Sequence, residues 1–155
     1  SYNNLILFNI YRIVEFTFYF LMYQNLVENK RNKKTIRIFM IIYYISVVVN
    51  CFLQDFRSDY FARSFFVGAS LIIVSIIIYF SEILNSERII NLNRMLAFWL
   101  SIAVFLLYIT SIPFKLIMNY NQDSPTIPYI YAGNYAVVFI YYLLINIGLF
   151  WSKEE

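Results

Sequence analysis

The sequence predicts an all-α, polytopic transmembrane helical bundle, on three observations. Apolar residues make up 61% of the 155 positions and charged residues only 14%, where a soluble domain carries about a quarter charged. The charges are bunched between long apolar blocks instead of being spread along the chain. The stretch 28–37, ENKRNKKTIR, alone holds five of the twelve Lys and Arg residues, with an apolar run on either side. Together these predict five spans at about 5–27, 36–53, 65–84, 95–118 and 129–151, in one helical domain covering 1–155.

The first four residues read as a short polar tail without a basic n-region or small-residue cleavage site, so the first apolar run is expected to be a span and not a cleaved leader. No helix is expected before Leu5, and a sixth would come from a partner or a longer natural chain. The first span, Leu5 to Val27, is long enough at about 1.5 Å per residue to cross a hydrocarbon core of about 30 Å with some tilt. It is the least apolar, with Asn9, Arg12, Glu15 and Gln24. Residues 28–37 are expected as a basic loop. Ile36 to Leu53 makes a short second span ending near Asn50 and Cys51. Gln54 to Arg63 mixes Asp55, Arg57, Asp59 and Arg63 with aromatic residues, which suits an interfacial segment. In the third span, Gly68, Ala69 and Ser70 form a small patch that lets a neighbouring helix approach closely. A polar loop with Glu87, Arg88 and Arg94 follows. The fourth span carries Trp99 near its start and Pro113 near its end, where the missing backbone donor should kink or end the helix. Residues 120–128 form a turn-rich loop, and the fifth span closes at Trp151. No internal repeat, linker or second domain is evident.

Orientation follows from the cations. With the basic loop inside, Lys30, Arg31, Lys33, Lys34, Arg37, Arg88, Arg94 and Lys153 are cytoplasmic, Arg57, Arg63 and Lys115 are outside, and Arg12 lies within a span. Lys and Arg are retained on the cytoplasmic side, so the N-terminus is expected outside and the C-terminus inside. Trp99 and Trp151 then share the inner interface.

Composition also excludes chemistry. There is no histidine and a single cysteine, Cys51. Internal disulfides, cysteine-rich metal sites, haem held by histidine and Ser-His-Asp catalysis are therefore not expected, and no cofactor or metal is. Dinucleotide, P-loop, zincin and nucleophile-elbow patterns are missing. The net charge of +3 sits mainly in the juxtamembrane cluster, so it reports topology and anionic headgroups and not a nucleic-acid partner. Abundant Ile, Asn, Tyr, Phe and Lys points to AT-rich coding DNA and a bacterial cytoplasmic membrane. Aromatic residues, 21% of the chain, suit interface belts and ring packing.

The candidate sites are few. Arg12 and Glu15, three apart, share a helix face within pairing distance, with Asn9 flanking them. Charges at this depth are costly unless paired or wetted. The trio is a binding or switch seam, or else a packing pair with Arg12 reaching to the outer interface. Lys30, Arg31, Lys33, Lys34 and Arg37 form a second candidate, a contact for a cytoplasmic partner or anionic lipid. Asn50, Ser70, Ser75, Asn134 and Asn146 read as polar packing contacts more than as a pore lining. Asn134 and Asn146, twelve apart, fall within about 120° of each other on a helix. Lys115 beside Pro113 suggests an anion contact or a snorkelling side chain. Glu82, Glu87 and Arg88 suggest a solvated interface, and Cys51 an inert buried thiol.

The YRIVEF run at Tyr11–Phe16, the basic first loop and FWLSIAVFLLYITSIPF at Phe98–Phe114 resemble small multi-pass membrane proteins of low-GC bacteria and the membrane sensor regions found beside histidine kinases. That resemblance implies a sensory or signal-coupling module and carries over no catalytic residue. The expectation is therefore a non-enzymatic membrane module working with the bilayer and a cytoplasmic or membrane partner. The alternative is a homo-oligomeric pore or membrane-perturbing effector, as in bacterial antiviral defence. An intramembrane enzyme or small transporter ranks last.

Overall fold

The computed structural model describes residues 3–54, 61–86, 94–120 and 127–152. Among them are five helices long and apolar enough to cross a membrane, as an integral membrane protein requires. They are α1 (Asn3–Leu26), α2 (Lys30–Leu53), α3 (Ala62–Leu84), α4 (Leu96–Tyr120) and α5 (Ile127–Trp151). The chain divides into two compact units, Ser1–Glu82 and Ile83–Glu155. The first holds α1, α2 and nearly all of α3; the second holds α4 and α5.

Within the first unit, buried positions recur at heptad-like intervals. On α3 they include Phe65, Ala69, Ile72, Ile76 and Tyr79. On α2 they are Ile36, Tyr43, Val47 and Asn50, and α1 supplies Asn9, Phe16, Phe20 and Tyr23. A repeat near 3.5 residues keeps one seam facing its neighbours along the whole length of a helix. Rings fill the middle: Phe16 lies 5.0 Å from Tyr43 and 6.0 Å from Phe65, and Tyr23 lies 5.9 Å from Tyr79, centroid to centroid. Gly68 makes this possible, because a Cβ there would sit 2.9 Å from Tyr43 Cε2 and 3.1 Å from Phe16 Cδ2. The small patch expected on α3 thus receives rings at Gly68, while Ser70 faces outward.

The second unit is an antiparallel pair. Trp99, at the start of α4, meets Trp151, at the end of α5, edge to face at 6.1 Å. Gly148 lies under this contact, and a Cβ on it would come within 2.7 Å of Trp99 Cβ and 3.2 Å of Leu96 Cδ1. At the other end a Cβ on Gly133 would meet Phe114 Cζ at 3.3 Å. Two hydroxyls on α4 bond within the helix: Ser101 donates to the Ala97 carbonyl at 2.6 Å and Thr110 to that of Leu106 at 2.6 Å.

Three expectations need correction. The expected basic loop is helical from Lys30, so α2 begins six residues before Ile36. Asn29 caps it, its Oδ1 accepting the Arg31 N–H at 2.8 Å, and the Lys33 N–H donates to the Asn29 carbonyl at 2.9 Å. A side-chain acceptor satisfies an otherwise orphaned first-turn donor, which lets the helix start among polar residues. Second, of the two outcomes expected at Pro113, ending is overturned, because α4 continues through it to Tyr120; an apolar span tolerates a proline when local adjustment re-satisfies the freed carbonyl. Third, Cys51 is exposed, because it lies about 100° around α2 from the buried Asn50. Pro128 falls in the first turn of α5, where a missing N–H costs nothing. Glu87, Arg88, Lys153 and most of the expected interfacial segment and outer turn lie outside the described residues.

Candidate functional site: a polar seam and a clamped basic turn

Glu15 stands near the middle of α1. Arg12 Nη1 donates to Glu15 Oε2 at 2.6 Å, so the expected i, i+3 pair forms, with the Glu15 side chain 10% exposed and that of Arg12 26%. The Arg12 guanidinium carbon lies 5.3 Å from the Phe65 ring centroid. A cation over a ring face gains from the ring quadrupole, more so when desolvated. The guanidinium is therefore held between a carboxylate on its own helix and a ring on α3.

Asn9 belongs to the same seam through a different bond. Its Oδ1 accepts the Phe61 N–H at 3.2 Å, which ties α1 to the residue preceding α3. The Tyr43 hydroxyl donates to the Arg12 carbonyl at 3.4 Å, bringing in α2. Asn50 Nδ2 donates to Ser64 Oγ at 3.3 Å, and Ser64 donates to the Phe61 carbonyl at 3.1 Å. Asn9, Arg12, Phe16, Tyr43, Ser64 and Phe65 help enclose a cavity of about 10 Å³, the space of a single water. Sequence reasoning found Asn9, Arg12 and Glu15 but missed Tyr43, Ser64 and Phe65. Those are residue types that spanning helices carry everywhere, and only the fold singles them out.

The second site lies at the opposite end of the same unit. Glu82, near the end of α3, accepts three hydrogen bonds from the start of α2. The Glu28 and Asn29 N–H groups donate to Oε1, the latter at 2.9 Å, and Asn32 Nδ2 donates to Oε2 at 2.8 Å. The electrostatics explain why a carboxylate belongs there. A helix N-terminus is the positive end of its dipole and disfavours cations, yet α2 opens with Lys30, Arg31, Lys33 and Lys34 and has no acid in its first turn. Glu82 supplies the missing negative charge from another helix. Expected only as a solvated interface group, it instead fixes where the basic residues stand. Lys30, Arg31, Lys34 and Arg37 are exposed.

Of the other polar candidates, Ser75 donates to the Leu71 carbonyl at 2.8 Å and Asn146 to the Tyr142 carbonyl at 2.8 Å. Asn134 and Lys115 are half-buried, and Asn146 is exposed. Among the described residues no group of three or more acidic or cysteine side chains gathers as a metal site would require.

No protein family, curated protein or solved structure matches this chain.

Proposed function

We propose that the chain is a non-enzymatic integral membrane module of a bacterial cytoplasmic membrane that senses a signal or couples to a partner protein, with its N-terminus outside and its C-terminus inside. The observation that carries this reading is the pairing of two polar devices at opposite ends of α1–α3. At one end, Arg12, Glu15, Asn9, Asn50 and Ser64 tie three helices through directional bonds. At the other, Glu82 holds the start of α2 and with it the exposed cations. A shift of α2 or α3 at the seam must therefore strain or move the basic turn, since packed helices transmit displacement instead of absorbing it. A seam enclosing only a water-sized space favours a packing switch over a conduit.

The test is co-purification of a cytoplasmic partner with the full-length chain. Charge reversal at Lys30, Arg31, Lys33 and Lys34 should abolish capture while leaving membrane insertion intact, and Arg12→Gln should change its extent from a distance. Capture unaffected by both variants sinks the proposal. A C-terminal reporter active on the outer side would overturn the topology.

A homo-oligomeric pore or membrane-perturbing effector is the second reading, and exposed Asn146 on α5 favours it, because an amide at the lipid boundary gains from a partner helix. Glu15 counts against it, since its carboxylate is turned into the α1–α3 seam. Ion and dye flux through liposomes, with and without Glu15→Gln, separates the two: leakage that depends on Glu15 supports the pore, and tight vesicles support the module.

A further inference from the structure

The basic residues occupy a helix, so their directions are defined. At about 100° per residue, Lys30, Lys34, Arg37, Ile41, Ile45 and Val48 fall within a sector of roughly 80° on α2. All six are exposed, Ile41 by 50%, Ile45 by 57% and Val48 by 55%. The buried side, with Ile36, Tyr43 and Asn50, lies opposite. One unbroken outward stripe therefore runs from branched aliphatic side chains into three cations. The cationic part, Lys30 to Arg37, spans about 10.5 Å along the axis, close to the depth of one headgroup layer at roughly 5–8 Å plus side-chain reach.

We infer that this stripe is a binding site for an anionic phospholipid, its acyl chain lying along Ile41, Ile45 and Val48 and its phosphate among Lys30, Lys34 and Arg37. This rests on the proposed membrane-module reading and assigns the occupant of one side of its basic turn. The continuity of the stripe selects a lipid for Lys30, Lys34 and Arg37, and leaves Arg31 and Lys33, which lie off the stripe, to the cytoplasmic partner. A protein partner would use the cations alone, whereas a lipid matches the apolar and cationic parts in the right order and on the same face. Charge balance points the same way. Glu82 and Glu28 supply two negative charges against five from Lys30, Arg31, Lys33, Lys34 and Arg37, together with the dipole of α2, which leaves the face cationic. Glu82 is the positioning residue: its bonds to Asn29 and Asn32 fix the first turn, so the cations continue the aliphatic stripe instead of fraying away from it.

Native mass spectrometry of the purified full-length chain in neutral detergent tests this, with phosphatidylglycerol and phosphatidylcholine of identical acyl chains as probes. Phosphatidylglycerol should be retained about tenfold better, in keeping with the attraction each surface cation adds. Lys30→Gln, Lys34→Gln and Arg37→Gln together should erase the preference, while Arg63→Gln should keep it. Ile41→Asn with Ile45→Asn should weaken retention of both lipids, and soluble glycerol phosphate should not displace the bound lipid. Equal retention of the two lipids by the natural chain overturns the inference, as does displacement by glycerol phosphate. Capture of an acidic peptide in place of phosphatidylglycerol would also overturn it, yet leave the coupling module standing. Recovery of the chain in a membrane-free fraction without detergent would instead overturn the membrane reading beneath it.

Discussion

In α1–α3 the helices meet through buried polar groups as well as rings, whereas in α4–α5 they meet through a glycine pressed against an indole. Asn9, Arg12, Asn50 and Ser64 on one side and Glu82 on the other give the first unit bonds with direction. Gly148 under Trp99, and Trp99 against Trp151, give the second unit contact through close packing. In a bilayer, lipid tails match an aliphatic surface, so helices associate through close packing or hydrogen bonds and gain little from apolar burial. The two units illustrate the two routes. A unit bound by fit resists change sterically. A unit whose helices meet through directional bonds beside a charged pair offers a signal or a lipid something to act on, which is why the proposed activity is assigned to α1–α3.

The sharpest way to break the contrast is to remove one partner of the pair. Arg12→Ala leaves Glu15 with little solvent and no cation, and should cost about 3 kcal/mol, at the low end for buried pairs because Arg12 is partly exposed. Thermal unfolding in detergent, followed by circular dichroism, reads it. Arg12→Leu combined with Glu15→Leu should recover most of that loss, since an apolar pair of similar volume replaces a buried ion pair at little net cost. A double variant as unstable as the single one would mean that the seam is held by shape and not by charge.

The matching test in α4–α5 is steric. Gly148→Val places a branched side chain where a Cβ already falls 2.7 Å from Trp99 Cβ, and overpacking of this kind costs about 2 kcal/mol. The change should separate the two indoles and alter tryptophan fluorescence. Trp99→Gly in the same chain, which removes the colliding Cβ as well as the ring, should relieve it, whereas Trp99→Ala, which keeps that Cβ, should relieve it only in part and should by itself be destabilising through lost ring contact. Unchanged fluorescence in Gly148→Val would show that α5 does not press on Trp99.

Glu82 tests whether the far end of α1–α3 is also polar in origin. Glu82→Gln keeps an acceptor oxygen but loses the charge facing the α2 N-terminus, for about 1 kcal/mol. Hydrogen exchange should quicken at the Asn29 and Arg31 amides and stay unchanged near Tyr43. Exchange as slow as in the natural chain would mean that the Asn29 cap suffices by itself.

The spans were legible because hydrocarbon thickness demands long apolar runs, and an alternating surface pattern is not needed to see them. The Arg12–Glu15 pair was legible for the opposite reason: charges three apart in such a run have few ways to be satisfied. What was hidden is which apolar residues face inward. Ile72 and Ile76 are buried and Ile77 is 53% exposed, yet nothing in composition separates them, because lipid-facing and helix-facing positions are equally apolar. The early start of α2 was hidden by reading a basic run as loop. Asn29 as a cap was the available signal, whereas Glu82, fifty-three residues further on, required the fold.

The smallest predicted effect bears most directly on why the first unit keeps its polar groups. Asn50 is fully buried, and its Oδ1 has no hydrogen-bond partner among the described residues, while its Nδ2 reaches Ser64 at a long 3.3 Å. A buried acceptor left unpaired costs free energy that one weak bond does not offset. Asn50→Leu, alike in branching though bulkier, should therefore leave stability within about 1 kcal/mol of the natural chain, on the stabilising side. If it does so while changing the effect of Arg12→Gln on partner capture, Asn50 is retained for the seam's function at a cost in stability. A marked loss of stability would instead mean that the bond from Asn50 to Ser64 outweighs the cost of burying the amide, and would make that bond a structural member of the seam.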